Sequence, residues 1–141
     1  MKRTAIILLS ALLFFSCKKD KVVTCTTSTE SISGSYKITG LTYKATATTP
    51  EVNYLTDEFT DACDRDNVYT FQTNGTYQVK DAGTVCSPSS DDSGDWSFSG
   101  NSMTIDGDPS TIESFDCKTL VVLQSDLNIT GDKTKITFTK Q

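Results

Sequence analysis

The sequence predicts an all-β fold, an eight-stranded antiparallel barrel with up-and-down strand order. From residue 34 onward, short segments alternate apolar and polar residues, the pattern of half-buried strands. Gly, Asn, Asp and Pro separate these segments at close spacing, so the connections are too short for parallel crossovers. A meander of this size removes its exposed edges by closing into a barrel. A β-sandwich built from the same strands is the alternative.

Eight strands are predicted, and no segment has a helical repeat long enough for a core helix. Residues 51–62 are expected to hold a short helix or an ordered loop. Tight hairpin turns are expected at Asn74-Gly75 and Gly100-Asn101, because these residue types accept the backbone angles of such turns. The predicted strands cover residues 35–48, 67–72, 76–82, 94–99, 102–106, 111–115, 119–125 and 133–140.

The first residues have the form of an export signal. Lys2 and Arg3 precede an apolar run over residues 5–15, and Ser16 and Cys17 follow it. The run covers 11 residues, whereas spanning a bilayer takes about 20. We therefore expect a bacterial lipoprotein signal over residues 1–16 and a lipid on Cys17, with cleavage without lipid as the alternative. The chain would be exported and anchored in the cell envelope, at the outer membrane, with the leaflet left open.

Composition divides the rest of the chain into a tether and one domain. Residues 17–33 are polar and rich in Lys, Thr and Ser, which is typical of a flexible tether, and residues 34–141 form the barrel domain. Removal of the signal changes the formal charge from -5 to -7, because Lys2 and Arg3 leave and no acid does. An acidic domain without a basic cluster is not expected to bind nucleic acid.

The four cysteines after Cys17 form an even set, which in an exported chain indicates disulfides. In a hairpin that closes on two residues at Asn74-Gly75, Cys63 and Cys86 face each other at the open end. A bulge in the hairpin would shift this register. Cys25 and Cys117 remain as a second pair by elimination, and the sequence does not decide whether they are joined.

Several short stretches carry a likeness to a known family. They are CDRDNVYTFQTNGTY at residues 63–77 with the later Cys86, GDWSF at 94–98, GSY at 34–36 and KITFT at 135–139. Together they resemble the lipocalin-like domain of small Bacteroidota lipoproteins, with Tyr36 in place of a tryptophan. The resemblance covers roughly residues 34–140. It implies an eight-stranded barrel with an interior site for a small apolar molecule.

Residue types needed for common enzyme chemistry are missing. The chain has no histidine, the commonest general base and metal ligand. Its carboxylates show no spacing that selects a catalytic pair and are expected in solvated loops. Residues 106–117 lack the glycine and the final glutamate of a calcium-binding EF-hand loop. We predict a protein that is not an enzyme, without catalytic residues, cofactor or metal.

An aromatic set on inward-facing strand positions is the one constellation that suggests a function. An eight-stranded barrel either holds one small ligand or is filled by its own side chains. The first case makes the chain a binder of a small apolar molecule. The second makes it a structural or interaction module, with loop residues 84–93 contacting an envelope protein or a glycan. The predicted cavity-lining residues are Tyr36, Tyr69, Phe71, Tyr77, Trp96, Phe98 and Phe138.

Overall fold

The computed structural model describes residues 25–56 and 61–141 and confirms the predicted closed antiparallel barrel. Eight strands form the barrel in chain order, a short extra strand flanks it, and one short helix precedes it. The signal segment, Cys17 and residues 18–24 of the expected tether lie outside the described residues. The elements are α1 (Thr29–Ile32), β1 (Gly34–Lys44), β2 (Val52–Asn53), β3 (Val68–Phe71), β4 (Thr76–Lys80), β5 (Asp92–Ser99), β6 (Ser102–Ile105), β7 (Asp108–Phe115), β8 (Thr119–Ser125) and β9 (Lys133–Lys140).

The barrel closes because β1 pairs with strands on both of its sides. Its first three residues pair with β3, and from Tyr36 to Lys44 it pairs with β9. The register with β9 shifts between Ile38 and Gly40, where one extra residue on β1 forms a bulge. Such a bulge bends the strand and increases its twist. Strand β2, which the sequence did not predict, pairs only with the last part of β1.

The β3–β4 hairpin forms at the predicted position but in a different register. Phe71 pairs with Tyr77, and the Gln72 N–H donates to the Thr76 carbonyl at 2.8 Å. Three residues, 73–75, therefore form the loop instead of the expected two. Gly75 is the loop residue with positive φ, at 88°, whereas Asn74 is not in that region. The Asn74 side chain instead accepts a hydrogen bond from the Thr76 backbone N–H at 3.0 Å. The predicted two-residue turn is therefore wrong, and a three-residue turn ending in a left-handed glycine replaces it.

Both predicted cysteine pairs lie in disulfide geometry. The Cα atoms of Cys63 and Cys86 are 5.3 Å apart, and those of Cys25 and Cys117 are 5.6 Å apart. The expected reason for the first pair is wrong: in the observed β3–β4 register, Cys63 and Cys86 do not face each other. Their pairing is possible because both lie outside the β3–β4 ladder, where the loops adjust their approach.

Helix α1 closes one end of the barrel. The side chains of Ser28 and Ser31 form a capping box that starts it, and Ile32 is fully buried in the core. Tyr36 of β1 donates a hydrogen bond to the Ile32 carbonyl at 2.5 Å. Lys140, at the end of β9, donates to the Ser31 carbonyl at 2.9 Å. We call this the closed end. Among the described residues, no helix is long and apolar enough to cross a membrane.

The inward faces of the strands form one continuous core. The predicted alternation is confirmed for β3, β4, β5, β6 and β9, since the apolar residues at their alternate positions lie in or against this core. We call the end opposite α1, where β3 begins and β4 ends, the mouth. The buried core residues are Ile32, Tyr36, Phe71, Tyr77, Trp96, Met103, Ile112, Leu120, Val122 and Phe138.

Candidate ligand-binding site

The seven aromatic residues predicted to line a cavity all belong to the core, but only three border an open space. Tyr69 and Phe98 are half-buried and pack against the core, and the other five are buried. Tyr69, Phe71 and Tyr77 line a cavity at the mouth. The remaining four, which do not line it, are Tyr36, Trp96, Phe98 and Phe138.

Aromatic rings fill the barrel between this cavity and the closed end. Phe71 is at the centre of the cluster, and the ring centroids of Tyr36, Tyr77, Trp96 and Phe138 lie 5.3 to 6.2 Å from its own. Edge-to-face and tilted contacts at these distances are favourable for aromatic pairs. The two interpretations offered by the sequence thus apply to different halves of the barrel. The half of the barrel towards the closed end is filled by its own side chains, and the half towards the mouth is open.

The mouth cavity has a volume of about 300 Å³. This lies at the lower end of the range for small-molecule sites, which are typically about 300–1,000 Å³. Its walls combine aromatic and aliphatic side chains, and its rim carries carboxyl, amide and hydroxyl groups. The lining residues are Asp64, Asn67, Tyr69, Phe71, Tyr77, Val79, Ser90, Asp92 and Ile105.

The pairing between β3, β4 and β5 determines which side chains lie side by side in the cavity wall. Tyr69 on β3 pairs with Val79 on β4, and Val79 pairs in turn with Asp92 on β5. Residues paired directly across neighbouring strands point to the same face of a sheet. The three side chains therefore form one row across the inner wall near the mouth. Phe71 and Tyr77 form the next pair towards the closed end and make the floor of the cavity.

The Cys63–Cys86 disulfide and a buried carboxylate hold the rim. Asp81 is 3% exposed, and its Oδ2 accepts hydrogen bonds from the backbone N–H groups of Cys86 at 3.0 Å and Ser90 at 2.8 Å. The Ser90 hydroxyl lies 2.5 Å from Asp64 Oδ1 and donates to it. Because the disulfide precedes Asp64 directly, these contacts join the loop before β3 to the loop after β4.

Asn67 is the buried polar group of the cavity wall. It lies one residue before β3, is 3% exposed, and its side-chain oxygen has no hydrogen-bond partner within the described part of the chain. Buried polar atoms are nearly always paired, because leaving one unpaired costs the desolvation of that group. Asn67 therefore presents an unused hydrogen-bonding atom in a wall that is otherwise largely apolar.

The tyrosines at and below the cavity are held in their neutral form. The Tyr77 hydroxyl donates a hydrogen bond to Asp106, and this bond, together with burial, raises the pKa of Tyr77. Burial, and secondarily the charge of Asp64, raises the pKa of Tyr69. Burial alone raises the pKa of Tyr36 to about 12. The cavity walls thus contain neutral phenols at physiological pH, and its formal charges come from carboxylates.

A metal site is not formed by these groups. Within residues 25–56 and 61–141, one group of three metal-type ligands lies close together, made of Cys63, Asp64 and Cys86. Both sulfurs of this group are in the disulfide, so neither is a thiolate that could bind a metal.

Four polar lining residues were not predicted from the sequence. Two of them follow from strand alternation: Asn67 lies two residues before Tyr69, and Asp92 lies four residues before Trp96, each on the inward face. Asp64 and Ser90 reach the rim through loop geometry, which alternation does not describe. Val79 and Ile105 lie on inward positions of the alternating strands, but the sequence did not predict that they border a cavity.

Comparison with known proteins gives a family match over nearly the whole chain. Residues 15–141 match the family described as a domain of unknown function, DUF5004. No curated protein and no solved structure matches the chain. Because the matched region includes every described element of the barrel and α1, the chain belongs to the DUF5004 family.

Proposed function

We propose that this domain binds a small, largely apolar molecule in the mouth of its barrel. One observation carries the proposal: the barrel is plugged at one end and opens at the other into a cavity of about 300 Å³. Tyr69, Phe71, Val79 and Ile105 supply apolar wall, and a few polar groups converge at the rim. Concave, mostly apolar sites with few polar groups are typical of small-molecule binding.

The arrangement of the core supports a preformed site. Ile32 of α1 and the ring cluster around Phe71 fill the closed end, so a ligand would enter only from the mouth. The Cys63–Cys86 disulfide joins the two loops at the rim and limits their motion. A rim fixed before binding reduces the ordering cost that a ligand must offset.

We further propose that the domain is lipocalin-like and is held at the cell envelope by a lipid on Cys17. The sequence of the export signal supports this location. Cys25 is joined to Cys117, between β7 and β8, so the described chain begins at the closed end. A chain anchored through Cys17 would then turn its mouth away from the membrane. A radioactive fatty acid supplied to the cells should label the wild-type chain and not Cys17→Ala. An unlabelled wild-type chain, or equal labelling of the two, would contradict the lipid anchor.

Binding can be tested with a neutral aromatic probe and a variant that fills the cavity. Addition of 2-phenylethanol to the uniformly ¹⁵N-labelled chain should shift the backbone amide signals of Tyr69 and Val79 saturably. Val79→Trp places a large ring in the cavity and should abolish these shifts at Tyr69. Val52→Trp makes a matched change on β2, where Val52 is 43% exposed, and should leave them intact. Shifts that are equal in both variants would contradict binding at the mouth.

The alternative function, an interaction module, has one observation in its favour. Val85, in the predicted contact loop of residues 84–93, is 64% exposed, more than the other large exposed apolar residues of the described chain. A partner contacting this loop would be lost in Val85→Asp but kept in Val79→Trp. Site-specific photocrosslinking at position 85 in cells distinguishes this function from ligand binding.

A further inference from the structure

We infer that the mouth cavity selects small apolar amines in their ammonium form over neutral and anionic molecules of the same shape. The inference rests on the proposed function and specifies the ligand class of the same site. Its basis is the combination of carboxylates, a buried amide oxygen without a partner among the described residues, and neutral aromatic rings at one cavity.

The charged groups of the cavity wall are all acidic. Asp64 and Asp92 line the cavity, and no Lys or Arg is among the described lining residues. Lys80 follows Val79 on β4 and therefore points to the outer face, where its Nζ lies 2.8 Å from Asp91. The acidic groups at the mouth are thus not neutralised by a base within the cavity, and a cationic head group would be attracted there.

Asn67 adds a specific hydrogen-bonding position. Asn67 lines the cavity, and its side-chain oxygen, buried within the wall, has no hydrogen-bond partner among the described residues. An ammonium group has three N–H donors and no acceptor, so it can satisfy this oxygen and a carboxylate together. A carboxylate ligand offers only acceptors and would leave the Asn67 oxygen unpaired.

The aromatic walls favour the same ligand. Tyr69, Phe71 and Tyr77 present rings to the cavity, and the two phenols are neutral for the reasons given above. A cation within about 6 Å of an aromatic ring centroid is attracted by the electrons of the ring face. The same rings give an apolar body a matching surface, so both parts of an aryl-alkyl amine find complementary groups.

Three lysines lie together on the outer surface of the barrel. A groove of about 210 Å³ outside the barrel is lined by Lys44, Lys133 and Lys135 and also by Glu51 and Glu113. Glu113 lies 3.4 Å from Lys135 Nζ and forms an ion pair with it. Lys44 and Lys133 pair directly across β1 and β9, an arrangement of like charges that an anion would relieve. An anionic probe that binds the domain is therefore expected beside Lys44 and Lys133 and not at the mouth.

Three probes of similar shape and different charge test the inference on the full chain. They are 2-phenylethylamine, which is cationic at pH 7, neutral 2-phenylethanol and anionic 3-phenylpropanoate. Isothermal titration calorimetry with NMR localisation should show the amine binding at the mouth at least about tenfold more tightly than the alcohol, a difference of about 1.4 kcal/mol. The anion should not shift Tyr69 or Val79. The affinity of the amine should fall as salt is added.

Matched variants assign the selectivity to the cavity. Asp92→Asn removes one charge and keeps an oxygen able to accept the hydrogen bond now made by the Ser93 N–H. It should weaken amine binding about fivefold or more and leave alcohol binding unchanged. Asp95→Asn makes the same charge change on the same strand but on the outward face, and should alter amine affinity less than twofold.

Each outcome separates the inference from the proposed function. If amine and alcohol bind at the mouth with equal affinity, the ligand class is wrong and the binding function stands. If Asp92→Asn and Asp95→Asn weaken the amine equally, the attraction is a general surface effect and the inference fails. If none of the three probes shifts the mouth residues, the proposed function fails as well. Should Val79→Trp not fold, Ile105→Phe fills the same cavity.

Discussion

Shortening Ile32 to alanine tests whether α1 is an integral part of the barrel. The Ile32 side chain is fully buried, although α1 has only four residues and lies in a stretch of polar composition. The substitution removes three carbons at about 0.8 kcal/mol each, or about 2.4 kcal/mol. Incomplete collapse of the space left behind adds to this, within the range of about 2–5 kcal/mol seen for such changes. We expect the free energy of unfolding to fall by about 3 kcal/mol.

Urea unfolding measures this loss in the oxidised protein. The fluorescence of Trp96, the only tryptophan and a core residue, reports the transition. Ile129→Ala is the matched control, because it removes the same three carbons from a side chain that is 51% exposed. It should change stability by no more than about 0.5 kcal/mol. If the two substitutions lower the stability equally, α1 does not plug the barrel.

The other predictions concern the disulfides and acid stability. Loop entropy predicts that the double variant Cys63→Ser, Cys86→Ser, whose cysteines are 23 residues apart, loses about 3.4 kcal/mol of unfolding free energy. The double variant Cys25→Ser, Cys117→Ser, whose cysteines are 92 residues apart, should lose about 4.6 kcal/mol. The reverse order of stability in urea unfolding would contradict this prediction. Burial acts to raise the pKa of Asp132, but hydrogen bonds from three backbone N–H groups outweigh it and hold this pKa below 3.8. The ionised carboxylate therefore contributes its stabilisation above about pH 4 and loses it as the pH falls through the lowered folded-state pKa. The difference in unfolding free energy between wild type and Asp132→Asn should be largest near pH 5 and shrink towards pH 2, and a constant difference would contradict the role of the charge.

Strand alternation predicted the barrel because one face of nearly every strand is apolar. The strands predicted over residues 119–125 and 133–140 agree with the observed β8 and β9. Turn signals were less reliable. Asp106-Gly107 forms a two-residue turn with φ values of 50° and 91°, and β7 begins directly after it at Asp108, three residues before its predicted start.

The β3–β4 hairpin shows how a correct contact can follow from an inexact register. The Asn74-Gly75 pair gave the position of the turn, but loop length depends on which residue takes the left-handed conformation, and Gly75 alone does. The prediction of which residues face inward was still correct, because the alternation within each strand does not depend on how that strand is paired. Cys63 and Cys86 still approach each other closely enough for a disulfide, because the loops that carry them can adjust their positions, whereas paired strands cannot.

The candidate site was only partly predictable because it depends on how the barrel interior is divided. Alternation identifies inward residues but does not say which of them leave space between them. The difference arises at Phe71. Its ring contacts those of Tyr36, Trp96 and Phe138 towards the closed end and borders the cavity on its opposite side. The rim residues Asp64 and Ser90 required the loops to be placed, which depends on Asp81 and the disulfide.

Intermolecular nuclear Overhauser effects test most directly whether the mouth of the barrel is a binding site. An isotope-filtered experiment on the ¹³C,¹⁵N-labelled chain with unlabelled 2-phenylethylamine measures contacts between ligand protons and protein methyl groups. We expect contacts from the phenyl protons to the methyl groups of Val79 and Ile105, which line the cavity. Contacts confined to Leu123, which lines the outer groove, or no contacts at all, would contradict it.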